Sequence, residues 1–135
     1  MSGERYPVLW IGQVSVVTLP AEIDVTNADA TRDELLAVLS QGATLLVADM
    51  SKTVFCDSSG VSALVRVFRH AATRGAALRL VVSTPAVQRV LSITGVDRLV
   101  DVYPSVAASL AGPSGQANPA WPDGATAKAD TDGGA

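Results

Sequence analysis

Short apolar runs alternate along this chain with stretches in which apolar residues recur every three or four positions. Apolar runs bounded by Gly or Pro predict strands, and the three-to-four spacing predicts amphipathic helices. The predicted strands cover residues 7–11, 14–19, 44–50, 78–83 and 99–103. The predicted helices cover residues 26–40, 59–74, 84–94 and 105–111. Two strands followed by alternating helices and strands indicate an α/β domain with a mixed, mostly parallel sheet of four or five strands.

Individual residues predict how these elements begin and end. Gly12-Gln13 fits a two-residue hairpin turn between the first two strands. Residues 21–25 are expected to form a loop, and Thr26, with an acid three positions later, fits the start of a helix with a capping box. The hydroxyl of Thr84 followed by Pro85 predicts a capped start for the third helix.

The composition changes abruptly at Pro113. Residues 113–135 contain no Val, Ile, Leu, Met or Phe, and Trp121 is their only large apolar residue. Such a segment buries too little surface to offset the entropy lost on ordering it. We therefore expect a single domain, residues 1–112, followed by a disordered tail, residues 113–135.

The overall composition narrows the class of protein. Hydrophobic residues make up 48% of the 135 residues and charged residues 17%, which is typical of a globular domain. A net charge of −3 provides no basic surface for nucleic acid, and a single cysteine excludes an internal disulfide or a cysteine-based zinc site. We see neither a signal peptide pattern nor an apolar run near the ~18 residues of a membrane span. A cytoplasmic protein without membrane contact is expected.

A polar cluster lies between the strand predicted at 44–50 and the helix that follows it. Asp57, Ser58 and Ser59 are residue types that cap helix N-termini, and Gly60 allows close backbone approach. The simplest interpretation is a helix cap without further function. The alternative is a phosphorylation site, because the N–H groups and positive dipole end of a helix N-terminus favour a negative charge.

Enzymatic chemistry has little support in the sequence. A serine nucleophile needs a nearby base, but His70 lies roughly 15 Å or more along the helix from Ser58 and is expected to face solvent. The pattern G-x-S-x-G is also absent. Asp49 resembles the acid of a phospho-aspartate receiver, but the acidic pair that such a site needs after the first strand is missing. No cofactor is expected.

Three further groups of residues have a structural and a functional interpretation. Asp24, Asp49 and Asp57 could in principle bind a metal, although their spacing matches no known ligand pattern. Cys56 is expected to be a small core residue rather than a redox centre. A basic stripe on the second predicted helix is either a solvated face or a docking face for a partner; it comprises Arg66, Arg69 and Arg74.

With the polar cluster and the order of elements established, the chain resembles the STAS domain, and within it the bacterial anti-sigma factor antagonists. The resemblance covers residues 8–112, and the D-S-S-G sequence at 57–60 is its most specific part. The supporting segments are Glu22-Ile23-Asp24, Leu46-Val47-Ala48-Asp49, Val54-Phe55-Cys56, Thr84-Pro85-Ala86-Val87 and Ile93-Thr94-Gly95. The chain departs from the family pattern at Pro20-Ala21, where a glycine is common, and at Cys56, where a larger apolar residue is usual.

The resemblance implies a phosphorylation switch and a binding module rather than an enzyme. Ser58 matches the serine that a partner kinase phosphorylates in this family. The unphosphorylated protein would bind an anti-sigma factor with serine kinase activity, and a serine phosphatase would reverse the modification. The residues expected to form the partner-binding site are Asp24, Asp57, Ser58, Ser59 and Gly60.

A second interpretation of the same resemblance lacks the switch. A STAS module can also act as a scaffold, or as an accessory module of a transport or signalling complex. Such a module needs no hydroxyl at position 58, so the presence of Ser58 favours the antagonist.

Overall fold

The computed structural model describes residues 6–112 of the chain. Its strands are β1 (Val8–Ile11), β2 (Val14–Thr18), β3 (Glu22–Ile23), β4 (Leu45–Met50), β5 (Phe55–Cys56), β6 (Ala77–Val82) and β7 (Asp101–Tyr103). Its helices are α1 (Ala28–Ser40), α2 (Ser58–Thr73), α3 (Pro85–Thr94), α4 (Val96–Leu99) and α5 (Val106–Ala111). The predicted α/β fold with a mixed, mostly parallel sheet is confirmed.

The main sheet has five strands in the order β1-β2-β4-β6-β7. β1 is antiparallel to β2, as the hairpin turn predicts, and the other four strands run parallel. β4 is central, and its residues Leu46, Val47 and Ala48 are fully buried. This agrees with an apolar run without alternation, which is typical of a strand covered on both faces.

Helices cover the two faces of the sheet unequally. On one face, Leu35 of α1 and Leu64 of α2 belong to the main core cluster together with Leu80 of β6. On the other face, Val106 of α5 packs against a small cluster of Val16, Val47 and Val81. The core is therefore built almost entirely from aliphatic side chains.

β3 and β5 form a second, two-stranded parallel sheet that the sequence analysis does not predict. Residues 21–25 were expected to be a loop, but Glu22 pairs with Phe55 and Ile23 with Cys56. Two-residue strands are too short to show a periodicity. Their pairing depends on two segments, distant in sequence, that meet only in the folded domain.

The expected start of the first helix is wrong in detail. α1 begins at Ala28 with Asn27 as its N-cap residue, and no side chain caps it. The Thr26 hydroxyl instead donates a hydrogen bond to Asp24 Oδ1 at 2.5 Å. Asn27 Nδ2 likewise donates to the carbonyl oxygen of Glu22 rather than serving the helix. The tight turn after β3 therefore uses the polar groups that a capping box would need.

The predicted start of α3 at Thr84-Pro85 is confirmed, but two later details differ from the prediction. Thr84 occupies the N-cap position of α3, but its hydroxyl donates to the carbonyl oxygen of Thr53, 2.9 Å away, and does not cap the helix. Residues 96–99 form the short helix α4, so the last strand begins at Asp101 rather than at Leu99. The predicted tail, residues 113–135, lies outside the described residues.

No helix within residues 6–112 is both long enough and apolar enough to cross a membrane.

Candidate functional site

The polar cluster forms the junction between β5 and α2, and Asp57 is the N-cap residue of α2. Its Oδ1 atom accepts hydrogen bonds from the backbone N–H groups of Ser59, at 2.8 Å, and Gly60, at 3.2 Å. Its carbonyl oxygen accepts the bond from the N–H of Val61 at 3.1 Å. The Asp57 side chain thus satisfies two of the four N–H groups that the first turn leaves open.

Gly60 is buried where α2 crosses the small sheet of β3 and β5. A Cβ atom at this position would lie 2.6 Å from Cys56 Sγ and 2.8 Å from Ile23 Cγ2. The missing side chain therefore lets the first turn of α2 pack directly on both strands. Gly60 therefore shapes the candidate site from below, by letting α2 approach the two strands closely.

Ser58 is the first residue of α2, and its side chain is exposed. Within residues 6–112 its hydroxyl makes no hydrogen bond, and the Asp57 carboxylate leaves its backbone N–H available. Ser59, the next residue, is half-buried. The more accessible of the two adjacent hydroxyls is therefore the one that the family resemblance indicates.

Asp24 lies beside Asp57 because of the pairing between β3 and β5. Ile23 is opposite Cys56 in the register, and the N–H of Asp57 donates to the Ile23 carbonyl oxygen at 3.1 Å. The hydroxyl and the backbone N–H of Thr26 both donate to the Asp24 carboxylate. These hydrogen bonds, of which the one from the Thr26 hydroxyl has the largest effect, hold the pKa of Asp24 below its usual value. The carboxylate therefore stays ionised at neutral pH.

Three apolar side chains beside these carboxylates are exposed, and the sequence analysis does not assign them to the site. Val25, which follows Asp24, is 75% exposed, and Val54 and Phe55, which precede Cys56, are 55% and 49% exposed. The sequence analysis places Val25 in a loop and uses Val54 and Phe55 only as part of the family resemblance. The available signal is that Val25 directly follows Asp24 and that Val54 and Phe55 come shortly before Asp57. We call Asp24, Val25, Val54, Phe55, Asp57 and Ser58 the Ser58 surface.

The remaining candidates are placed as follows. Cys56 is buried, as predicted, and burial together with the charge of Asp57 raises the pKa of its thiol to about 11. His70 is exposed on α2, as predicted, and the basic stripe of α2 is exposed as well. Among residues 6–112, no group of three or more His, Cys, Asp or Glu side chains is arranged to hold a metal ion. The candidate trio containing Asp49 therefore does not assemble.

The chain is similar to known proteins in both sequence and fold. The chain is 29% identical over 86 residues to the anti-sigma-B factor antagonist of Bacillus subtilis, covering 64% of this chain and 78% of that protein. An anti-sigma factor antagonist from Mycobacterium paratuberculosis has a similar crystal structure, with 28% identity and a TM-score of 0.72. That match covers 78% of this chain and 89% of the other.

The anti-sigma factor antagonist SpoIIAA shares the fold. Its unphosphorylated form matches with a TM-score of 0.66 and 20% identity, over 78% of this chain and 92% of SpoIIAA. Its phosphorylated form, from Bacillus, matches with a TM-score of 0.60 and 19% identity, over 78% and 96% of the two chains. A family model of the STAS domain matches residues 8–109, from β1 into α5. The chain therefore belongs to the STAS domain family.

Proposed function

We propose that this protein is an anti-sigma factor antagonist that is switched off by phosphorylation of Ser58. The observation that carries the proposal is the exposed, unbonded hydroxyl of Ser58 at the first position of α2. Ser58 directly follows Asp57, and the pairing of β3 with β5 brings the segment of Asp24 and Val25 to the segment of Phe55 and Asp57. In its unphosphorylated form the Ser58 surface binds an anti-sigma factor with serine kinase activity, which frees a sigma factor for transcription.

The physical basis of the switch is local charge. A phosphate adds roughly −1.5 to −2 charges at neutral pH, and here it would be added beside Asp57 and near Asp24. The apolar rim of Val25, Val54 and Phe55 favours a partner surface that excludes water. A phosphate dianion at the edge of that contact must either lose its hydration or keep that part of the interface open to water. Either event weakens binding.

The fold is expected to tolerate the phosphate. Asp57 caps α2 through the N–H groups of Ser59 and Gly60, so the Ser58 hydroxyl contributes nothing to the cap. The N-terminal end of a helix also favours a negative charge. Phosphorylation then removes the partner without unfolding the domain, and a serine phosphatase restores the binding-competent form.

The proposal makes the protein a binding module and a kinase substrate rather than an enzyme. It requires no cofactor of its own and no contact with nucleic acid or membrane, and its partners are expected in the cytoplasm. The kinase binds the ATP and transfers the γ-phosphoryl group to the Ser58 oxygen, so this chain needs to supply only an accessible hydroxyl.

The test uses substitutions at Ser58 with binding and phosphorylation measured separately. Ser58→Asp retains a negative charge at the helix N-terminus, so it should fold and yet bind the anti-sigma factor poorly. Ser58→Ala removes the acceptor without adding charge, so it should bind and gain no phosphate. Ser59→Ala should weaken the site without abolishing phosphate incorporation. Ser62→Ala, which removes an exposed hydroxyl one turn further along α2, serves as the control and should behave as wild type.

The measurement is a binding titration with each anti-sigma kinase of the same organism, followed by incubation with ATP and mass spectrometry. Phosphate on the Ser58→Ala variant would show that a residue other than Ser58 is modified. Absence of phosphate on the unmutated protein with every such kinase would favour the second candidate, a STAS scaffold or accessory module that works without a switch.

A further inference from the structure

β1 is an edge strand of the main sheet, and every one of its residues is apolar and exposed. Val8, Leu9, Trp10 and Ile11 are 37%, 57%, 38% and 50% exposed. β2 lies on one side of β1, and among residues 6–112 no strand lies on the other. An exposed hydrophobic edge of this kind is a template for pairing with another strand.

Proteins usually protect a sheet edge with charged side chains or with proline within the strand. From Pro7 to Ala21 this chain has no charged residue, and Pro7 lies before β1 rather than within it. Among residues 6–112, ten carry a large, exposed apolar side chain, and four of them make up β1. Within this part of the chain, the edge is therefore open both in its backbone and in its side chains.

The hairpin register shows which backbone groups of β1 are available. Ile11 pairs with Val14 across the two-residue turn, and pairing alternates from there along the strand. The N–H of Thr18 donates to the Pro7 carbonyl oxygen at 2.9 Å, which fits the same alternation. Pro7, Leu9 and Ile11 therefore direct their backbone groups toward β2. Val8 and Trp10 direct theirs toward the open side.

We propose that two copies of this chain pair through β1, antiparallel and about a two-fold axis at Leu9. In this register the N–H and C=O groups of Val8 bond to those of Trp10 in the second copy, and those of Trp10 to Val8, giving four hydrogen bonds. The lack of an N–H group on Pro7 costs the dimer no hydrogen bond, because in this register the Pro7 nitrogen is not required as a donor. The two five-stranded sheets become one continuous sheet of ten strands.

The side chains support a second copy as the occupant of this edge. Val8 and Trp10 lie on the same face, and the register places Val8 of one copy opposite Trp10 of the other. Pairs of aromatic and β-branched side chains are favourable across antiparallel strands. Leu9 meets Leu9 on the opposite face. An uncharged strand pairs with its own copy without bringing like charges together.

The contact is small, which sets its expected strength. Four partly exposed residues from each copy bury well below the ~1,600 Å² of a standard interface. We expect a rapidly reversible dimer that is populated at several hundred micromolar and largely dissociated at about 10 µM. This inference is independent of the proposed switch, since β1 carries none of the residues of the Ser58 surface.

The test is sedimentation velocity of the full-length protein from about 10 µM to 1 mM, with matched substitutions. Leu9→Lys places two lysine side chains directly opposite each other across the two-fold axis, with Cβ atoms about 5 Å apart, and buries their stems beside like charges, so dimerisation should weaken by about tenfold or more. Ile93→Lys makes the same change on α3, where the residue is 76% exposed, and should leave the dimer unchanged. A mixture of Leu9→Lys and Leu9→Glu should recover dimer, because opposite charges then face each other.

Hydrogen exchange distinguishes the remaining outcomes. The amides of Val8 and Trp10 should become protected as the concentration rises. A protein that stays monomeric up to 1 mM overturns the proposal. If these amides are already protected in that monomer, another part of the chain covers the edge. A dimer that tolerates Leu9→Lys, or one that Ile93→Lys disrupts, also overturns it.

Discussion

At the scale of single residues, Gly60 links the candidate site to the core. The absence of a side chain brings the first turn of α2 against Ile23 and Cys56, and this packing holds Ser58 at the surface. The candidate site therefore depends on a buried residue whose role is to let α2 approach β3 and β5.

Gly60→Ala is predicted to lower the free energy of unfolding by about 1–3 kcal/mol, because the added methyl group overlaps Cys56 and Ile23. Cys56→Ala removes the Sγ contact, so the penalty for Gly60→Ala should be smaller in that background. Urea denaturation of the four proteins measures both effects. A penalty that is the same in either background would show that Cys56 is not the obstacle.

The Cys56 thiol predicts a pH dependence of stability. Its pKa rises from 9.0 to about 11 on folding, because burial and the charge of Asp57 disfavour the thiolate. The protonated thiol is therefore the form that the folded state favours. Its contribution is complete below about pH 9 and is lost as the pH rises through about 11, where the unfolded chain ionises first.

The measurement is the difference in unfolding free energy between the wild-type protein and Cys56→Ala, followed from pH 7 to 11. This difference should stay constant up to about pH 9, and above that pH the wild type should become less stable relative to the variant. Taking the difference between the two unfolding free energies removes the contribution of the other groups that titrate in this range. A flat difference across the whole range would contradict a raised thiol pKa.

At the scale of elements, α5 is held on the sheet by a buried arginine. Arg79 of β6 is 1% exposed, and its Nη1 donates to the carbonyl oxygen of Ser109 at 2.6 Å. Its guanidinium lies 5.6 Å from the centre of the Tyr103 ring, and the buried Asp101 is opposite it in the strand register. The last helix therefore docks through a polar contact added to its apolar face.

Arg79→Ala is predicted to destabilise the domain by about 3 kcal/mol or more, because it leaves Asp101 as a buried carboxylate without this cation. Residues 104–112 should also become more sensitive to limited proteolysis. Arg89→Ala, at an exposed position on α3, is the matched control and should change stability by less than about 0.5 kcal/mol. Equal effects of the two substitutions would refute the docking role of Arg79.

At the scale of the whole molecule, the family match covers nearly all of the residues that the structure describes. The STAS match covers residues 8–109, and α5 completes the cover of the second face of the sheet. The exposed edge of β1 and the Ser58 surface share no residue. Partner binding and self-association can therefore be tested separately in one domain.

Deletion of residues 115–135 is predicted to change the free energy of unfolding by about 1 kcal/mol at most, because this segment has few core-forming residues. Thermal denaturation of the full-length and shortened proteins measures the difference. Failure of the shortened chain to fold would show that Trp121 docks onto the domain.

The sequence by itself determined the order of the main-sheet strands and of the longer helices, the buried central strand and the polar junction at Asp57 and Ser58. These features are local: they depend on periodicity and on capping chemistry within a few residues. Two differences show where such local rules fail. At α3 a tertiary hydrogen bond from the Thr84 hydroxyl to the carbonyl oxygen of Thr53 replaces the expected cap. At α1 the turn after β3 uses the Thr26 hydroxyl, which donates to Asp24.

Only the tertiary structure decided which residues surround Ser58. The pairing of β3 with β5 brings Asp24 beside Asp57 across more than thirty residues of sequence. The same pairing leaves Val25 and Phe55 in solvent, although their type alone predicts burial. Contacts between distant segments depend on which surfaces remain uncovered once the core has formed, and no local pattern encodes that.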